Sequence, residues 1–427
     1  MTILILFGSL AILLMLSVPI AIALGLSTMI TLLYTETMSL TFLAQGLITE
    51  TDSFPLMAVP MFILAGEIMT KGGISRRLFN LANVMVGGVT GGFAIAAVVT
   101  CMFFAAISGS SPATVAAIGA IMIPEMVRQG YDKKFATATV AASGSIGVII
   151  PPSIPMIIYG VSSSTSIGNM FIAGIVPGVL IGVLLMVWAY IYSKRKGYKG
   201  RDEKVSIKDW GLAIWDGKWA IIIPFIILGG IYGGFTTPTE AAVIAVVLAL
   251  FIGMVLYREL KIKDLIPVFR NAALTTATVL IIVGIASAFG RLLMIEQIPN
   301  QIATAITSIS GSMVVTLLLI NILLLVVGMF METVAAIIIL TPILMPIALH
   351  LGIDPVHFGM IMVVNLAIGF ITPPLGVNLF VGSGISGVSI LSLSRSIFPF
   401  LIAMLISLLI ITYIPEVSTW LVEMRNR

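Results

Sequence analysis

The chain has 427 residues, of which 59% are hydrophobic and 9% charged, against about 25% charged in an average soluble domain; mean hydropathy is +1.18. That composition excludes a soluble enzyme and a disordered hub, and a single cysteine, Cys101, permits no internal disulfide framework. The net charge of +4 is concentrated between Lys194 and Asp209, where seven basic residues face three acidic ones, so it describes a cytoplasmic loop and not a nucleic-acid surface.

The first apolar run, Ile3 to Tyr34, lacks a basic leader and is too long for the core of a signal peptide. It reads as one membrane crossing, with Pro19 allowing a kink or an interfacial section. Apolar stretches follow at about 54–70, 89–127, 135–165, 167–193, 219–235, 238–257, 271–294, 312–349, 358–386 and 396–415. A crossing needs about 20 residues, so 89–127 and 312–349 are too long for one. The first is interrupted by Ser108-Gly109-Ser110-Ser111-Pro112 and the second by Gly328-Met329-Phe330-Met331-Glu332. Each interruption predicts two helices meeting at a tip inside the membrane, a re-entrant hairpin. Stretches 135–165 and 358–386 carry Pro151-Pro152 and Pro373-Pro374 near their middles. Proline has no N–H to donate and clashes with the preceding turn, so each pair predicts a broken helix with freed carbonyls. Segments 74–87 and 298–310 read as amphipathic and interfacial. Arg258, Lys261 and Lys263 are expected on the same side as the 194–209 loop.

The two halves of the chain are alike. Aligning 130–160 with 352–382 pairs Gly130 with Gly352, Asp132 with Asp354, Gly147 with Gly369, both prolines of each pair, and Gly160 with Gly382. Two repeats, each a hairpin plus a broken helix, are the pattern of a secondary transporter, with inverted topology expected. The predicted fold class is therefore an all-α polytopic membrane protein. Its predicted parts are 1–88 as supporting helices with an interfacial helix, 166–311 as supporting helices with the basic loop 194–209, 387–427 as a supporting helix and a tail, and 89–165 and 312–386 as the two repeats.

Irregular backbone survives in a membrane only where protein or a cavity surrounds it. The tips and breaks are thus expected to face a site near the midplane. Their oxygens suit a hard cation such as Na⁺, and their half-helix N-termini suit an anion. The first candidate set is Ser108, Ser110, Ser111 and Thr114, opposite Ser143, Ser145, Gly147 and Ile150. The second is Gly328, Glu332 and Thr333, opposite Gly369, Thr372 and Asn378. Small residues that only permit close helix packing are the competing explanation. Ser110, Asn378 and Arg291 are the substrate candidates. Arg291 is equally compatible with snorkelling to the interface or with pairing to Glu296 or Glu67. Glu240, after Thr237-Pro238-Thr239, reads as a helix start, and His350 and His357 read as interfacial. With no phosphate-binding loop, the driving energy comes from an ion gradient or a partner.

At this point the residues resemble a known family. Gly234-Phe-Thr-Thr-Pro-Thr-Glu-Ala-Ala242, Ser108-Gly-Ser-Ser-Pro-Ala-Thr-Val-Ala-Ala-Ile-Gly119, Gly147-Val-Ile-Ile-Pro-Pro-Ser153 and Thr372-Pro-Pro-Leu-Gly-Val-Asn-Leu-Phe380 are similar to stretches of the large membrane subunit of tripartite ATP-independent periplasmic (TRAP) transporters, DctM in dicarboxylate and SiaM in sialic acid systems. The resemblance implies an elevator-type carrier in the bacterial inner membrane, driven by Na⁺. It implies two partners: a small four-helix subunit of DctQ or SiaQ type and a periplasmic binding protein of DctP or SiaP type. The small subunit is fused to the large one in some members; with no room for four helices before Ile3, it is expected here as a separate chain. Its sodium ligands carry over to Ser108, Ser110, Gly147 and Ile150, and to Gly328, Thr333, Gly369 and Thr372. The resemblance puts sialic acid first as substrate and a C4-dicarboxylate second. A self-sufficient sodium and divalent-anion symporter is the alternative. An intramembrane enzyme is not expected, because no catalytic set lies within the spans.

Overall fold

The computed structural model describes residues 2–36, 38–39, 41–49, 51–200, 206–299, 301 and 312–426. Among them there are helices and no strands, and eight helices are long and apolar enough to cross a membrane. The expected amphipathic stretch at 298–310 lies mostly outside the described residues.

The first apolar run is not one crossing. It forms α1 (Thr2–Met15) and α2 (Ile20–Thr35), packed against each other. Ser17 takes φ +60° and Pro19 lacks a donor, so the chain turns back instead of kinking. A short α3 (Thr41–Thr49), not foreseen from the sequence, lies on a later long helix. After α4 (Ala58–Lys71) comes the amphipathic α5 (Ile74–Val86), with Ile74, Leu78 and Leu81 buried along one face.

The first repeat contains α6 (Gly92–Ser108), α7 (Ser111–Arg128), α8 (Lys133–Gly144) and α9 (Ile154–Ser163). Then follow α10 (Ile167–Ala173), α11 (Ile175–Lys196), α12 (Ile207–Tyr232), α13 (Pro238–Phe251) and α14 (Ile262–Ile295). The second repeat contains α15 (Met313–Phe330), α16 (Thr333–His350), α17 (Pro355–Gly369) and α18 (Val377–Ser386). The chain ends with α19 (Ile390–Tyr413) and a further helix, α20 (Glu416–Asn426), where the sequence suggested a tail.

The residues shared by the repeats have local causes. Gly130 (φ +84°) and Gly352 (φ +73°) adopt the left-handed turn that glycine tolerates best. Two residues later Asp132 caps α8, accepting from Lys134 N (2.8 Å) and Phe135 N (3.0 Å). Asp354 caps α17 in the same way, from Val356 N (2.8 Å) and His357 N (3.1 Å). Both Pro-Pro bonds are cis.

The two broken helices run antiparallel. Asn378 of α18 bonds Ala141 O of α8, and Gly382 lies beside Thr137, so α18 runs back along α8. Tyr159 of α9 donates to Pro355 O (2.7 Å), so α9 likewise runs back along α17. Packing relies on small residues, as expected where lipid is as apolar as the protein. Gly66 lies on Ser108, Gly182 on Met102 and Gly328 on Gly369. At the basic end α5 is tied down by Arg77, which reaches Glu259 (2.7 Å) and Asp216 (3.0 Å) and covers the Tyr257 ring at 3.6 Å.

Candidate functional site

At the first tip α6 ends at Ser108, Gly109 turns with φ +59°, and α7 starts at Ser111. The tip is docked on the break: Ile154 N, at the start of α9, donates to Gly109 O (3.3 Å). Ser108 Oγ lies 2.9 Å from Thr114 Oγ1, which donates to Ser110 O (2.8 Å). Gly147 backs onto this group so closely that a Cβ there would sit 2.6 Å from Thr114 Oγ1 and 2.7 Å from Ser110 O. In a continuing helix the carbonyls of Gly147 and Val148 would bond the N–H groups of residues 151 and 152, which are prolines. Val148 O accepts from Ser153 Oγ instead (2.6 Å), while no donor among the described residues reaches Gly147 O. Ile150 turns its side chain to Gly178 of α11, leaving only its backbone to a ligand.

At the second break the carbonyls that face prolines are reclaimed. Gly369 O accepts from Thr372 N (3.1 Å) and Phe370 O from Asn378 N (3.0 Å). Gly328 packs backbone to backbone on Gly369, and a Cβ on Gly369 would collide with the Gly328 carbonyl. Thr372 Oγ1 bonds Ile368 O (2.8 Å). Glu332 serves as the N-cap of α16, accepting from Val334 N (2.8 Å) and Ala335 N (3.2 Å), a use of its carboxylate that its position at a tip did not reveal.

Asn378 does not join the second set. It is fully buried in the first repeat, with Nδ2 at 2.8 Å from Ser111 Oγ, 2.9 Å from Ala141 O and 3.2 Å from Ser145 Oγ. Ser111 therefore turns away from Ser108 and Thr114, and the pair ties α18 to α7 and α8. Sequence spacing assigned Asn378 to its own repeat. The antiparallel pairing of α18 with α8 brings it to the other one.

Both tips and the starts of α9 and α18 surround one cavity of about 600 Å³. Ser110, Ser111, Glu332 and Thr333 line it, with Glu67 and Thr70 from α4 and Thr275 and Thr278 from α14. The α14 hydroxyls were missed by sequence reading; their i, i+3 spacing within an apolar helix was the available signal. The N-termini of α7, α9, α16 and α18 converge there, each with partial positive charge.

The remaining candidates lie elsewhere. Arg291 lines a different cavity, and Glu67 has no ion-pair partner among the described residues. Glu240 completes a capping box, accepting from Thr237 N (2.8 Å). His350 is exposed, whereas His357 is buried. Its Nε2 lies 3.3 Å from Thr412 O, because the end of α19 and α20 cover the start of α17. A nearby buried chain also escaped sequence reading: Asn365 Nδ2 donates to Asn321 Oδ1 (2.7 Å), and Asn321 Nδ2 to Thr412 Oγ1 (3.1 Å).

Residues 7–417 match the family described as the tripartite ATP-independent periplasmic transporter, DctM component. The chain belongs to the DctM family. It is 52% identical over 413 residues to an isethionate TRAP transporter permease, DctMQ, of Oleidesulfovibrio alaskensis, covering 97% of the chain and 65% of that relative, about two thirds of its length. It is 46% identical to the C4-dicarboxylate TRAP large permease DctM of Pseudomonas aeruginosa, covering 93% and 92% of the two chains. Identity to the sialic acid large permease SiaM of Vibrio cholerae is 37%, covering 95% of each. The fold is similar to that of the Alcanivorax borkumensis YdaH transporter at TM-score 0.63 and 18% identity, covering 90% and 88% of the two chains. DctM-family membership agrees with the multi-pass architecture and with a permease role for the chain.

Proposed function

We propose that this DctM-family chain is the large permease of a Na⁺-coupled uptake system for a small organic anion in the bacterial inner membrane. It works with a small membrane subunit and a periplasmic binding protein. The observation that carries this reading is the single cavity onto which both hairpin tips and both restarted helices open. In it, two repeats (89–165 and 312–386) move as a transport domain against the other helices (1–88, 166–311 and 387–427), in the manner of an elevator.

The first sodium site is formed by Ser108, Ser110 and Thr114 with the Gly147 and Ile150 carbonyls. The unclaimed Gly147 carbonyl supports it. The second uses Gly328, Thr333, Gly369 and Thr372, mostly through backbone oxygens. Ser111 and Asn378 hold the repeats together, and Glu332 caps α16. The substrate's charged group meets the helix N-termini at the cavity, with Ser110 as a hydroxyl donor. Identities of 52% and 46% to isethionate and C4-dicarboxylate permeases, against 37% to a sialic acid permease, favour a small sulfonate or dicarboxylate over sialic acid.

The test is uptake of labelled isethionate, succinate and sialic acid into proteoliposomes holding this chain and its small subunit, under an inward Na⁺ gradient. Uptake is expected to need both Na⁺ and the binding protein, and to weaken in Ser110→Ala. Uptake with Na⁺ but no binding protein would establish the self-sufficient symporter instead. Equal uptake on a K⁺ gradient would overturn sodium coupling.

A further inference from the structure

A second cavity of about 570 Å³ contains Arg291. It continues the first along one face of α14: Thr275, Thr278 and Ile282 line the first, and Val283, Gly290, Arg291 and Met294 line the second. From Thr278 to Arg291 is about 20 Å of helix rise. Across from α14, α9 and α16 wall both cavities, with Ile154 and Thr333 beside the first, and Ile158 and Met345 beside the second. The two cavities therefore lie one after the other along α14, between it and α9 and α16.

The charge distribution orients these cavities. Lys194, Arg195 and Lys196 end α11 at the basic, cytoplasmic side. The segment after α13 returns to that side, where Tyr257 Oη donates to Asp216 O (2.8 Å). α14 starts beside it and carries Arg291 to the opposite, periplasmic end. The Arg291 cavity thus lies between the periplasm and the midplane cavity.

Its lining suits an anion with an apolar body. Most of the wall is apolar. Its polar lining residues are Arg291, Ser163, Thr341 and the three serines Ser162, Ser164 and Ser287. None of these three hydroxyls makes a side-chain hydrogen bond among the described residues, and Ser164 adopts φ +56° at the end of α9. A guanidinium with hydroxyls in the same cavity provides the planar donor array that carboxylates and sulfonates accept. Such a ligand pocket, mostly apolar with few polar groups, is common for small molecules.

We propose that the Arg291 cavity is a second binding site for the transported organic anion, a receiving station that holds it before the midplane site. The proposal rests on the transport reading above. The anion's carboxylate or sulfonate pairs with Arg291 and takes hydrogen bonds from the serines, and its carbon body lies on the apolar wall. This station binds whether or not sodium is present, because none of the proposed sodium ligands lines it.

The test is equilibrium binding of radiolabelled isethionate and succinate to the full chain in nanodiscs, with and without Na⁺. Wild type is expected to show two sites per chain, one strengthened by Na⁺ and one indifferent to it. Arg291→Gln should weaken the indifferent site at least tenfold and spare the other, and Arg291→Lys should restore part of it. Ser110→Ala should weaken only the sodium-dependent site. An unchanged indifferent site in Arg291→Gln, or one site in wild type that Arg291→Gln leaves intact, overturns the proposal. An Arg291-dependent site without a sodium-dependent one leaves this station standing and overturns the midplane reading. Repeating the binding in phosphatidylcholine and in phosphatidylglycerol nanodiscs separates the sources of anion. Loss of the site only in phosphatidylglycerol identifies a lipid headgroup as occupant and overturns the assignment to the transported anion.

Discussion

Gly147→Ala is the substitution that isolates the docking of the first tip on its break. The glycine is not in a left-handed conformation, so an alanine brings no backbone strain, and on propensity alone it would gain up to about 1 kcal/mol in a helical turn. The added Cβ, however, would lie 2.7 Å from Ser110 O and 3.1 Å from Ser110 C, atoms of the backbone that cannot rotate away. Inserting one carbon into so close a contact costs about 1–3 kcal/mol. If that cost falls on the arrangement that holds sodium, it raises the half-saturating Na⁺ concentration by about 5–150-fold. The assay is initial uptake rate against Na⁺ concentration in proteoliposomes, with folding checked by thermal unfolding of the purified variant. Gly229→Ala is the control, a glycine on α12 with nothing within 4 Å of its Cβ, and it should behave as wild type. A Gly147→Ala variant with wild-type sodium activation would refute the reasoning, because the tip and break would then not need to touch for the ion to bind.

Gly369→Ala makes the corresponding test at the second site, where the collision is with the Gly328 carbonyl; its sodium activation should also weaken, and an unchanged curve would remove Gly369 from the site. Asn378→Ala leaves Ser111 and Ala141 O buried without their partner, and should destabilise the folded chain by about 1–3 kcal/mol; denaturant unfolding in detergent reads this, and a shift under 0.5 kcal/mol would deny the cross-repeat tie. Asp132→Ala and Asp354→Ala each remove a cap and should cost about 1 kcal/mol, adding in the double variant because they share no partner. Arg77→Met should loosen α5 at the basic end by breaking its bonds to Asp216 and Glu259, read as faster hydrogen exchange over residues 74–86, while α15 and α16 exchange as before.

Much of the architecture follows from local chemistry, and so was legible in the sequence. A proline pair removes two donors wherever it stands, which is why Pro151-Pro152 and Pro373-Pro374 break their helices. The Gly-x-Asp turns before α8 and α17, the Thr237–Glu240 capping box and the apolar run lengths are also local causes. Of the candidate residues, Ser108, Ser110, Thr114 and Gly147 came together as their spacing around the tip and break suggested.

What tertiary structure decided is pairing between distant segments, to which sequence separation is blind. Ile3–Tyr34 folds back as two helices because Ser17 and Pro19 turn the chain and α14 offers a surface to α2. Asn378 serves the first repeat because α18 runs along α8, and His357 is buried because α19 and α20 end over it. Arg291 sits apart from Ser110 because about 20 Å of α14 separates their cavities. A membrane imposes hydrogen-bonded helices on apolar runs, so most of the helices and the breaks at the two tips and two proline pairs could be read from the sequence, while the turn at Ser17–Pro19 and the helices α3 and α20 could not. Which faces meet depends on side-chain shape across hundreds of residues, and only the folded chain holds that information.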